Sequence, residues 1–118
     1  MITSTIKICG QEVCVGYCYA TEIAFHNYTG VNVDKFNPGN PQHTIYLIMA
    51  AIFAYYNAKE HDGEGHDLTD EGLLYESKPS EIVEAFKTVM ELRQEWYGVE
   101  SKNSDNSDAE EEGSDGKN

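Results

Sequence analysis

Apolar and polar residues alternate from Ile2 to Ile8 (Ile-Thr-Ser-Thr-Ile-Lys-Ile), and the run is rich in β-branched types, which predicts a strand. Gly10-Gln11 supplies a turn and Val13-Cys14-Val15 resumes an extended run, so the chain opens on a β-hairpin. From about Tyr17 to Tyr28 the period becomes helical, with Ala20, Ile23, Ala24 and, at its end, Tyr28 on the inner side. Thr29-Gly30 closes this helix, because glycine takes the left-handed cap conformation at little cost. Val31 to Pro38 reads as irregular, with a short extended piece.

Asn40-Pro41 marks the next helix start, with Asn as cap and Pro in the first turn, and the helix runs to about Ala58. Its middle is apolar nearly all round, the pattern of a central helix covered on most faces. A polar loop follows over residues 59–68, and Thr69 caps a short helix from Asp70 to about Glu76 with acids in its first turn. Lys78-Pro79-Ser80 leads into a last helix, Glu81 to Tyr97. There Ile82, Phe86, Val89, Leu92 and Trp96 recur at helical spacing, and Glu84, Lys87, Glu91 and Glu95 take the outer face. The expected fold class is α+β and mostly helical: an N-terminal β-hairpin and about four helices in one compact domain, residues 1–100.

Residues 101–118 change the picture, since they hold no aromatic residue and no Val, Ile, Leu or Met. They cannot bury enough apolar surface to offset their ordering entropy, so a disordered acidic tail is predicted there. The tail carries −4 of the net charge of −13, which leaves the body acidic in its own right at −9. That field repels phosphate backbones and argues against nucleic acid as a partner by the basic-patch route. The longest apolar-rich run, Ile45 to Tyr56, is twelve residues, short of the roughly twenty that span a bilayer. Met1-Ile2-Thr3-Ser4 has neither a basic nor an apolar leader segment, and the three cysteines make no disulfide framework. Both features predict a cytoplasmic protein with no membrane partner.

The candidate chemistry is thin. His61 and His66 share a loop with Asp62, Glu64 and Asp67, a set that could gather a hard cation. The calcium-loop pattern fails, however: counted from Asp62, position six is Asp67 where glycine belongs and position twelve is Leu73 where glutamate belongs. A solvated loop is the favoured alternative, so no metal is assigned to residues 61–71. Cys9, Cys14 and Cys18 are spaced like loose zinc ligands but lack a near fourth, and small buried hydrophobes on a hairpin fit them better. No phosphate loop, nucleophile elbow or zincin motif is present, so neither catalysis nor a cofactor is expected.

Eight tyrosines are many for so small a body, and Trp96 lies beside the last of them. Tyrosine tolerates half-burial and is common at interfaces, so an acidic surface with interleaved aromatics suits a protein-binding module.

Three stretches carry a resemblance. Tyr17 to Gly30, with Ala20-x-Glu22-x6-Thr29-Gly30, resembles the strand-to-helix passage of small phage proteins. Leu68-Thr69-Asp70-Glu71-Gly72-Leu73-Leu74 and Pro79-Ser80-Glu81-Ile82-Val83-Glu84-Ala85 resemble that family's acidic-capped short helix and its closing amphipathic helix. Together, residues 2–97 look like a tail assembly chaperone of long-tailed bacteriophages or prophages. The resemblance implies a cytoplasmic protein that coats the tape measure protein, recruits tail-tube subunits to it and is absent from the finished virion. It leaves room for a homo-oligomer and for a longer frameshifted form, and it does not account for the cysteines.

An apolar tape-measure helix exposes long stripes that an aromatic groove could cover while the acidic charge keeps the complex soluble. Tyr46, Phe53, Tyr56, Phe86 and Trp96, on the central and last helices, are the residues expected to supply core and groove edge together. The competing expectation is an acidic protein-interaction module, such as a nucleic-acid-mimicking inhibitor of a host protein. That role needs ordered carboxylates, whereas many acids here fall in the tail or in residues 60–71.

Overall fold

The computed structural model describes residues 1–98; the predicted acidic tail lies outside the described residues. The chain opens on an antiparallel hairpin, β1 (Ile2–Ile8) and β2 (Gln11–Tyr17), in a register that pairs Ile2 with Tyr17 and Ile8 with Gln11. The turn is Cys9-Gly10, one residue earlier than expected, because Gln11 already pairs with Ile8 as the first residue of β2. Both turn residues have positive φ, 53° and 72°, as a two-residue turn needs to match the twist of its strands. Ile6 and Ile8 on β1, with Val13, Val15 and Tyr17 on β2, bury one face. Thr3, Thr5, Lys7 and Glu12 stay exposed on the other.

The first helix, α1 (Tyr19–Thr29), is fixed by Thr21. Its hydroxyl donates to the Gly16 carbonyl at 2.9 Å and accepts the Cys18 N–H at 3.2 Å. With Thr21 turned inward, Ala24 and Phe25 face the core. Ile23, expected on the inner side, is 61% exposed, and Ala20 is exposed too. The helix starts two residues later than its apolar pattern suggests, and its buried stripe runs through Thr21, Ala24 and Phe25. Gly30 ends it at φ 75°, its N–H bonded to the His26 carbonyl at 2.7 Å. The next segment is a single 3-10 turn, Val33–Lys35, with Val33 buried, and not the extended piece expected.

The second helix, α2 (Pro41–Tyr56), is the centre of the fold. The Asn40 side chain accepts the Gln42 N–H at 2.9 Å, and Leu47 to Ile52 are buried without a break. Such an all-round apolar segment is stable only when covered on most sides, and α1, β2 and the last helix do so. Thr69 caps α3 (Asp70–Glu76) by accepting the Gly72 N–H at 2.9 Å. Of α3's side chains only Leu73 is buried. The last helix, α4 (Pro79–Trp96), buries Ala85, Val89 and Leu92 beneath the hairpin and against α2. Ile82, Phe86 and Trp96 are half-buried at the core margin, while Glu84, Lys87, Glu91 and Glu95 stay exposed. Among the described residues no helix is long and apolar enough to cross a membrane.

Candidate functional site

The five residues expected to form one binding surface occupy three places. Tyr46, Phe53 and Tyr56 share a face of α2, since steps of seven and three return to one side of a helix. The Tyr46 ring stacks on Tyr28 of α1, with centroids 5.2 Å apart. Phe53 is 45% exposed at the edge of a recess of about 190 Å³ that Met49, Tyr56, His66 and Leu68 also line. Tyr56 is tied to the fold as well, because its hydroxyl accepts the Cys14 N–H at 3.0 Å. Phe86 lies apart, stacked on Phe36 at 5.1 Å, and Trp96 meets Tyr19 edge-on at 5.7 Å. These two pack the margins of the core and do not extend the α2 stripe.

The loop after α2 is exposed from Asp62 to Asp67, as a solvated loop should be, and side-chain contacts fix its start. The His61 ring stacks on Tyr55 with centroids 3.8 Å apart, and His61 Nδ1 lies 3.0 Å from one oxygen of Glu64. The Tyr55 hydroxyl donates to the other oxygen at 2.9 Å. The bond from His61, and then that from Tyr55, holds the Glu64 carboxyl below its ordinary pKa. The Tyr55 phenol is raised by its contact with the Cys14 side chain and then by Glu64. His66 Nδ1 accepts the Leu68 N–H at 3.1 Å. Among the described residues no group of three or more His, Cys, Asp or Glu is placed to hold a metal ion.

The cysteines are half-buried and not enclosed as expected. Cys9 sits in the hairpin turn with its sulfur 3.5 Å from both the Gly72 carbonyl and the Ser77 hydroxyl. Cys14 lies within β2, and Cys18 precedes α1.

Two surface recesses escaped the sequence. One is an apolar groove of about 390 Å³ where the N-terminal ends of α2 and α4 meet α3. Pro38, Pro41, Ile45, Leu74, Ile82 and Val83 line it. Leu74 and Val83 are exposed at its wall, and Tyr75 beside them is 81% exposed. The signal was present: Leu73-Leu74-Tyr75 are consecutive, and three adjacent residues of a helix cannot all face one core. The second recess, about 410 Å³, runs along α1 past Tyr19, Ile23 and His26.

Glu22 bounds that second recess and ties three elements together. It accepts the Tyr17 hydroxyl at 2.8 Å and the Tyr97 hydroxyl at 2.7 and 2.8 Å, while Arg93 Nε stands 3.8 Å away. Burial, and then the bond to Glu22, pushes the Tyr17 phenol well above its ordinary range. The bond to Glu22 raises Tyr97. No sequence signal joins residues 75 apart.

Comparison with protein-family models, curated proteins and solved structures returns no match.

Proposed function

We propose that this protein is a tail assembly chaperone of a long-tailed phage or prophage. It acts in the host cytoplasm without catalysis or cofactor, holding the tape measure protein soluble while tail-tube subunits assemble around it. The observation that carries the proposal is the apolar groove of Ile45, Leu74, Ile82 and Val83 on an otherwise acidic body. A groove of that lining suits the apolar face of a helix laid into it. Seven acids and no lysine or arginine lie between residues 60 and 76, on α3, which lines the groove through Leu73 and Leu74, and on the loop that precedes it. Their charge favours a helix whose flanks are basic and keeps the loaded complex dispersed. The aromatic stripe of Tyr46, Phe53 and Tyr56 on α2 offers a second contact, with Phe53 its most accessible member.

The test is co-expression of the full chain with a tape measure protein from the same phage or prophage, reading the fraction that stays soluble and bound. Leu74 is exposed, so Leu74→Glu leaves the core intact while placing a charge in the groove. It should weaken binding about tenfold or more, the usual result of charging an apolar contact. A tape measure protein that stays insoluble beside the folded wild-type chain contradicts the proposal.

A further inference from the structure

The two edges of the hairpin are treated differently. Ile8 and Gln11 flank the two-residue turn as a hydrogen-bonded pair, so bonded pairs fall on every second residue from there. The intervening residues, Thr3, Thr5 and Lys7 on β1 and Glu12, Cys14 and Gly16 on β2, turn their N–H and C=O groups outward. On β2 two side chains meet that edge: the Tyr56 hydroxyl takes the Cys14 N–H, and the Thr21 hydroxyl donates to the Gly16 carbonyl. On β1, among the described residues, no hydrogen bond from outside the hairpin reaches Thr3, Thr5 or Lys7. β1 has no proline and a single charge, Lys7, to guard seven residues of strand. Unpaired edges of this kind template pairing with another chain.

We propose that β1 pairs antiparallel with β1 of a second copy, joining two hairpins into one four-stranded sheet. The strand is complementary to itself. With Thr5 opposite Thr5 of the second copy, Thr3 falls opposite Lys7 and Ile2 opposite Ile8, so no like charges meet and the apolar face continues across the seam. The edge strand also carries no acid of its own to repel a second copy. Lys7 is the only charge on β1, and Glu12 stands opposite it on β2. The dimer is independent of the chaperone assignment.

Sedimentation equilibrium of the full chain, from micromolar to several hundred micromolar, tests the pairing together with backbone hydrogen exchange. The expected result is a mass rising from 13.2 kDa toward twice that value, with the Thr3, Thr5 and Lys7 amides slowing as the concentration rises. Proline is tolerated where a strand N–H faces solvent, so Thr5→Pro should stay folded and weaken the dimer at least about tenfold. If Thr5→Pro does not fold, Thr5→Lys sets like charges opposite each other at an exposed position and should have the same effect. A monomer at every concentration overturns the proposal. So does a dimer whose β1 amides exchange as fast as in the monomer, or one that a folded variant leaves unchanged.

Discussion

Helix α4 is fastened at each end by one glutamate, and the two fastenings work differently. At its N-terminal end Glu81 takes the backbone N–H groups of Cys9 at 2.9 Å, Gly10 at 3.2 Å and Lys78 at 3.3 Å. One carboxylate thus caps its own helix and holds the hairpin turn. At the C-terminal end Glu22 of α1 takes the hydroxyls of Tyr17 and Tyr97, with Arg93 close by. Tyr17 is fully buried, so its bond to Glu22 replaces water, whereas the Tyr97 bonds to Glu22 and the Gly10 and Lys78 bonds to Glu81 lie at the surface and compete with it. Each end also carries an apolar recess. The one beside Glu22 is edged by charged side chains, while the groove at the N-terminal end is lined by proline, leucine, isoleucine and valine. Recesses of similar volume, about 390 and 410 Å³, thus offer different chemistry, and the lining of the N-terminal one suits an apolar helix better.

The largest effect should come from breaking the Glu22 network. Glu22→Ala leaves the buried Tyr17 hydroxyl without its acceptor and Arg93 without its counter-charge, at a cost of about 2 kcal/mol. Urea unfolding should show that loss as a lower midpoint with an unchanged slope. Glu22→Gln keeps an acceptor and should cost less.

Glu81 should matter less and depend on acidity. Its carboxyl lies below its ordinary pKa, chiefly through the bond from Gly10 and then that from Cys9. A depressed carboxyl stabilises the fold fully above its unfolded pKa, about 4.3, and the contribution fades as pH falls through the lower folded value. Glu81→Gln should therefore flatten the acid limb of the stability curve in that window and speed exchange at the Cys9 and Gly10 amides. An unaltered acid limb would mean that the turn is held without this carboxylate. Glu64, depressed in the same direction, remains in both proteins and cancels from the difference.

The smallest effect is expected at Cys9, a non-glycine residue at φ 53°. Cys9→Gly removes that strain and also two weak sulfur contacts, so thermal unfolding should register a gain of about 0.5 kcal/mol.

Most of the architecture was legible because its signals are local. Asn40-Pro41, Thr69 and Gly30 mark helix ends through bonds to residues two to four positions away, and an all-apolar stretch such as Leu47 to Ile52 has only the core to occupy. What was hidden depends on partners far along the chain. Ile23 turned outward because Thr21 is held by Gly16 at the end of β2, a constraint stronger than the apolar period of α1. Glu22 and Glu81 look like ordinary first-turn acids until the fold brings Tyr97 and Cys9 to them across 75 and 72 positions. Of the proposed contact residues, Phe53 on α2 is legible as an aromatic of the central helix, while Val83 is hidden because its neighbour Ile82 accounts for the apolar period of α4, and Leu74 because only the fold shows which residue of Leu73-Leu74-Tyr75 faces the core.

Val83 and Ile23 make a matched pair, 62% and 61% exposed, one in the N-terminal groove and one in the α1 recess. The most direct measurement compares Val83→Glu with Ile23→Glu for binding to the co-expressed tape measure protein, with both variants shown folded. Val83→Glu should weaken binding about tenfold while Ile23→Glu leaves it within about twofold of the wild type. Equal losses, or a loss confined to Ile23→Glu, would contradict the assignment of the groove.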